Sequence, residues 1–248
     1  MKRRNLAARG AARGFTLVEL MVTVAIALFL IAGLLTILQN VRSAQNNQTL
    51  LSQLQDQQRF ALSVLTDVIQ SGGYYPLPTA NTVGSALPAV GAFAAGQPFF
   101  GTQAANLDTI SVRYVTAGQD SVILCDGSTN GAAVGTTQVY TNVFSVVGGQ
   151  LVCALNGAAA TPIVGGVTGL TIYYGVKRNA AIADYNADTY LTAGQMLVAG
   201  PNGNDWTNVS AVRIVISFAN PMFGQPGQPQ TIQFERVIEV MARAGVHT

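Results

Sequence analysis

Residues 15–38 read FTLVELMVTVAIALFLIAGLLTIL, a run whose single charge is Glu19. About 20 apolar residues suffice to cross a bilayer as a helix, so this stretch is a membrane span and the rest of the chain is organised around it. On its amino side stand Lys2, Arg3, Arg4, Arg9 and Arg13, with no acid among them. That basic flank keeps residues 1–14 in the cytoplasm and sends the bulk of the chain across. On the distal side, Gln39-Asn40-Val41-Arg42 lacks the small-x-small pattern at which an ordinary secretory signal peptide is removed. The span therefore stays attached, and the protein begins as a single-pass protein with an exported carboxyl-terminal domain.

Composition agrees with a folded exported domain. Of 248 residues 49% are hydrophobic and only 10% charged, with 26 glycines. Disordered chains show the opposite balance. The net charge of +2 conceals an asymmetry: without the five basic residues before position 15, 8 bases face 11 acids. A chain starting at residue 15 is mildly acidic, which argues against a nucleic-acid partner. One histidine and two cysteines cannot build a four-ligand Cys/His zinc site. No Ser/His/Asp or Cys/His set surrounds the sole His247, so no catalytic machinery, and no cofactor, is expected.

Glu19 costs free energy in lipid: intramembrane scales put Asp, Lys or Arg at a helix centre near +2.5 to +3.5 kcal/mol, and less toward the interface. Two readings are open. The carboxylate snorkels to the headgroups, or something neutralises it. The surrounding residues bear on the choice. Gly14-Phe15-Thr16-Leu17-Val18-Glu19, with a basic leader before it and an apolar span after it, resembles the class III signal peptides of type IV pilins and pseudopilins. The resemblance implies cleavage after Gly14 by a prepilin peptidase, N-methylation of the new amino-terminal Phe15, and pairing of Glu19 with the Phe15 amine of a neighbouring subunit. Two charges unfavourable in lipid would then neutralise one another.

Between Val41 and Gln70 there is neither proline nor glycine. Leu50, Leu54, Ala61, Val64 or Leu65, and Val68 recur at helical spacing, opposite a polar face of Asn46, Asn47, Gln53, Gln57, Gln58 and Arg59. The periodicity predicts an amphipathic half-helix, residues 42–71, continuing the membrane half, residues 15–41. At 1.5 Å per residue the two would make a rod of about 84 Å. Gly72-Gly73 is its stop. The apolar stripe is expected to pack on the chain's own sheet, since the charge pattern of a coiled coil is missing.

Residues 72–107, with Pro76, Pro78, Pro88 and Pro98, read as a long loop with at most one short element. Strand patterns follow at 109–115, 121–124, 137–147, 150–155, 170–176, 209–218 and 231–240, with turn signals such as Gly148-Gly149 between them. One long helix followed by strands predicts an α+β fold, the helix laid on an antiparallel β-sheet, with residues 72–248 forming a periplasmic β-rich domain. Cys125 and Cys153 fall in or beside two strands. In an exported domain they read as a disulfide, the alternative being two buried reduced thiols. Asp184, Asn186 and Asp188 alternate as in a calcium loop, but Thr189 and Gln195 stand where an EF-hand needs glycine and glutamate. No metal site is expected there. Lys177-Arg178 is too small a basic patch for a DNA footprint.

The stretches 107–114 (LDTISVRY), 169–176 (GLTIYYGV) and 206–214 (WTNVSAVRI), with the cysteine pair, are similar to PilW-type minor pilins. That resemblance implies a low-abundance subunit that helps prime type IV pilus assembly and sits in a tip complex, in the service of adhesion, twitching motility or DNA uptake. Its implied partners are the prepilin peptidase, other minor pilins and the major pilin, a large adhesin-like tip protein, and the inner membrane, with no nucleic acid. The nearest rival is a type II secretion minor pseudopilin of the GspJ kind. Readings of other classes are a DNA-binding or adhesive pilin, which would need an exposed basic or aromatic stripe, and a tethered enzyme, which would need a catalytic cluster.

Overall fold

The computed structural model describes residues 14–179, 186–200 and 203–242. The leader residues 1–13, Asp184 and His247 lie outside the described residues. Helix α1 spans Leu17–Gln70, and the chain divides into two compact units, Met1–Leu50 and Leu51–Thr248.

In the first unit, helix accounts for every residue from Leu17 to Leu50, and nearly all its side chains are exposed. Among the described residues α1 is the one helix long and apolar enough to cross a membrane. A side chain such as Phe29, 80% exposed, is at home only in lipid or against other apolar helices.

In the second unit, the last turns of α1 bury Leu54, Ala61, Leu62, Leu65, Val68 and Ile69. These positions recur every three or four residues on one face, and they join one apolar core with Phe144, Leu151, Ile172, Ile214 and Phe218 from the strands. Leu50, which belongs to the sequence stripe, is 40% exposed. The helix ends where the sequence places its stop: Gly73 takes φ +78°, a conformation that side-chain-bearing residues resist, and its N–H turns away to the Arg113 carbonyl at 2.9 Å.

The sequence reading expects one sheet; the structure has two, both antiparallel. The first is a five-stranded meander of β1 (Phe99–Thr102), β2 (Thr109–Ala117), β3 (Thr137–Val147), β4 (Gln150–Leu155) and β5 (Thr161–Gly165). Gly148 and Gly149, at φ 59° and 75°, form the two-residue turn that joins β3 to β4. The second sheet has the order β7-β6-β8-β9, from β6 (Val167–Val176), β7 (Thr189–Leu191), β8 (Val209–Ala219) and β9 (Thr231–Glu239). Inward-facing Leu170, Ile172 and Tyr174 on β6 and Val212, Ile214 and Ile216 on β8 are buried, and Thr171, Tyr173, Arg213 and Val215 between them are less so. This is the period-two burial that the pleat imposes.

The expected strand over 121–124 is instead irregular, set between turns at 118–119 and 125–126. The Asp120 carboxylate accepts the Ala117 and Val122 N–H groups at 2.7 and 3.1 Å, so the backbone bonds locally rather than in a ladder. Only an isolated bridge, Ile123 to Thr129, remains. Short β1, β5 and β7 carry too few residues for a period to register. The 72–107 region contains, besides β1, a one-turn helix α2 (Val83–Ala86).

Two polar side chains tie this unit together. Asp108 is buried, and its Oδ1 accepts Ala104 N–H at 3.0 Å while Oδ2 accepts Ile172 N–H, in β6, at 2.9 Å. Its own N–H donates to the Leu170 carbonyl at 2.9 Å, and Leu170 N–H donates to the Asn106 carbonyl at 2.7 Å. Asp108 thus splices the β1–β2 connection of the first sheet onto the second. Arg113, fully buried in β2, donates from Nη2 to the Pro88 carbonyl at 2.8 Å and lies 4.7 Å from the Phe93 ring centre. It holds the loop before β1 against the sheet, and burial pushes its guanidinium pKa down.

Candidate processing and assembly site

The Gly14–Phe15 bond precedes the first helical residue, Leu17, and Phe15 is 75% exposed. The backbone of residues 14–16 thus lies outside the helix, where it is open to a protease that a helix interior would exclude. Thr16 opens the helix: its Oγ1 accepts the Glu19 N–H at 3.3 Å, and its carbonyl accepts Leu20 N–H at 3.2 Å. Thr16-x-x-Glu19 therefore begins as a side-chain-capped turn, with Glu19 in the helix's first turn. There the unpaired N–H groups favour a negative charge. The S/T-x-x-E spacing of a capping box is legible in the sequence, although the span's hydrophobicity draws attention away from it.

The cap uses Glu19's backbone, not its carboxylate. The side chain is exposed, and no cation among the described residues pairs with it.

The other sequence-marked residues occupy a different region. Cys125 and Cys153 are joined in one chain, Cα–Cα 6.0 Å, both buried. Cys153 sits in β4, while Cys125 belongs to the turn after Asp120 and donates its N–H to Asn142 Oδ1 at 3.0 Å. The bond pins the 118–136 loop onto the meander. Asp188 spends its oxygens internally: it accepts the Arg178 and Asn179 N–H groups at 2.9 and 2.6 Å and the Thr189 hydroxyl at 2.8 Å. The backbone N–H groups of Arg178 and Asn179 hold its carboxyl below the usual carboxylate range. Arg178 bonds the buried carboxylate of Asp205, so Lys177-Arg178 is not a free basic pair. No group of three or more metal-ligating side chains gathers among the described residues. The residues that sequence reasoning passed over are Asp108 and Arg113, which lie inside the quoted stretch 107–114. Nothing in a one-dimensional pattern distinguishes a buried splice from a surface charge.

Two family models match the chain. "Type IV Pilus-assembly protein W" covers residues 131–236, and the "Prokaryotic N-terminal methylation motif" covers residues 9–35. No curated protein matches it. Among solved structures, a type IV-like pilin, TTHA1219, from Thermus thermophilus aligns at 16% identity over 75% of this chain and 96% of its own, with a TM-score of 0.41.

Proposed function

The chain is a PilW-type type IV pilin with a class III signal, a minor pilin of pilus assembly, and from that membership we propose that it primes the fibre and sits in a tip complex with other minor pilins. In this reading the prepilin peptidase cuts between Gly14 and Phe15, and Phe15 is N-methylated. Residues 15–41 hold the chain in the inner membrane with the domain that follows in the periplasm. Glu19 then recruits the Phe15 amine of an adjacent subunit. The amine exists only after cleavage, so processing licenses assembly.

The observation that carries the proposal is the Glu19 carboxylate itself, placed four residues from the new terminus in an apolar helix and paired with no cation among the described residues. A lone charge in lipid costs several kcal/mol, which a neighbour's ammonium offsets on assembly.

Glu19→Ala tests this, since alanine is the better helix former and removes only the charge. In cells where this subunit is the sole copy, the variant is expected to insert and be cut normally while surface pili and co-purified partner pilins fall together. Normal piliation with normal co-purification would refute the pairing. Amino-terminal sequencing that finds a mature chain starting anywhere other than methylated Phe15 would refute the processing step.

A further inference from the structure

The second unit carries an open groove of about 340 Å³ whose walls come from three separated parts of the sequence. Helix α1 contributes Phe60, Val64 and Asp67; the disulfide-pinned turn contributes Ile123 and Asp126; β5, the last strand of the meander, contributes Ile163. Phe60 is 54% and Ile123 59% exposed. Two large apolar side chains flanking one concavity form the kind of surface that proteins cover with a partner.

The rim identifies the chemistry of that partner. Asp67 and Asp126 both line the groove and no Lys or Arg does. Neither carboxylate makes an ion pair among the described residues. Asp126 is fixed in place by the Ser128 N–H and hydroxyl, which donate to its Oδ1 at 2.9 and 2.6 Å. The complementary ligand is an apolar side chain that enters the groove beside a Lys or Arg that meets the two acids. A second copy fits poorly, because beyond residue 14 the chain has more acids than bases, 11 against 8. Extension of the meander by an added strand also fits poorly. Pro162 lies in β5, and an edge strand with a proline is one blunted against pairing.

We propose that this groove is the docking site for a segment of a different pilin subunit, one presenting an aliphatic or aromatic anchor next to a Lys or Arg. The proposal rests on the fibre-subunit reading above and names the surface by which the exported domain selects its neighbour. It is independent of the Glu19 contact, and the disulfide is what keeps the wall formed by Ile123 and Asp126 in place.

The test is co-expression of the full chain with each tagged pilin of the same cell, followed by capture on the tag. Phe60→Ser and Asp67→Lys both alter exposed positions, and Trp206 emission checks that the domain remains folded. Asp67→Lys is expected to cut capture of one pilin about tenfold and to abolish its salt sensitivity, as loss of an interfacial charge contact does. Phe60→Ser should cut it similarly with the salt sensitivity kept. A Lys-to-Glu or Arg-to-Glu change in that pilin should restore pairing with Asp67→Lys alone. Capture of the wild-type chain that neither substitution weakens overturns the groove while leaving the fibre-subunit reading intact. Wild-type chain captured by no pilin overturns both. Association only with a second copy of itself, lost on Phe60→Ser, overturns the choice of occupant.

Discussion

Replacing Asp108 by alanine removes an acceptor from two backbone donors at once, Ala104 N–H at 3.0 Å and Ile172 N–H at 2.9 Å, at a position that is 2% exposed. Hydrogen bonds to a charged group contribute about 1.5–3 kcal/mol each, and a buried donor left unpaired carries its full desolvation cost. The backbone bonds between Asp108 and Leu170 and between Leu170 and Asn106 survive the change, so the splice is weakened rather than erased. A loss of about 3–5 kcal/mol follows, which for a domain of this size lowers Tm by roughly 10 °C. Asp108→Asn should fall between, because its single amide oxygen serves one donor while its NH2 faces the other. The assay is thermal unfolding of the detergent-solubilised chain followed by emission of Trp206. This is the sole tryptophan, buried 4.9 Å from the ring of Tyr174, which lies in the strand that Asp108 grips. A shift below about 2 °C for Asp108→Ala, less than 1 kcal/mol on the same scale, would show that the two sheets are held together without the splice.

Replacing both Cys125 and Cys153 with alanine should lower stability by about 3–4 kcal/mol, the loop-closure value for a separation of this length; the two are 28 residues apart. An unchanged denaturant midpoint under non-reducing conditions would contradict that. Gly118→Ala places a methyl group against the Ala132 and Ala133 carbonyl oxygens. Backbone atoms cannot swing aside as a side chain can, so the cost should be about 1–3 kcal/mol. Gly131→Ala, where an added Cβ meets nothing within 4 Å, is the control, and equal midpoints for the two variants would refute the steric account.

What the sequence determined by itself is whatever a uniform medium or a local rule imposes. Lipid demands an unbroken apolar run, so the span at residues 15–38 was legible from composition alone. Gly72-Gly73 was legible as a stop because the end of a helix needs a left-handed residue, and Gly73 adopts that conformation. The strands at 137–147 and 150–155 were legible because burial on one face writes a period of two, and the glycine pair between them admits only a tight turn. Glu19 stood out because a carboxylate in an apolar helix is costly enough to be conspicuous. Only the tertiary structure decided the remainder. Strands divide into two sheets according to which edges meet, and local pattern is the same for either partner. The stretch 121–124 looked like a strand, yet Asp120 accepts the Val122 N–H and the Ser128 carbonyl accepts that of Leu124, so the segment bonds to its own neighbours. Asp108 and Arg113 read as ordinary charges until distant segments closed over them. The groove has walls at Phe60, Ile123 and Ile163, so it exists only because folding brings separated residues together. Contacts between residues far apart in the chain leave no local period, and energy gained across such distances is invisible until the chain has closed.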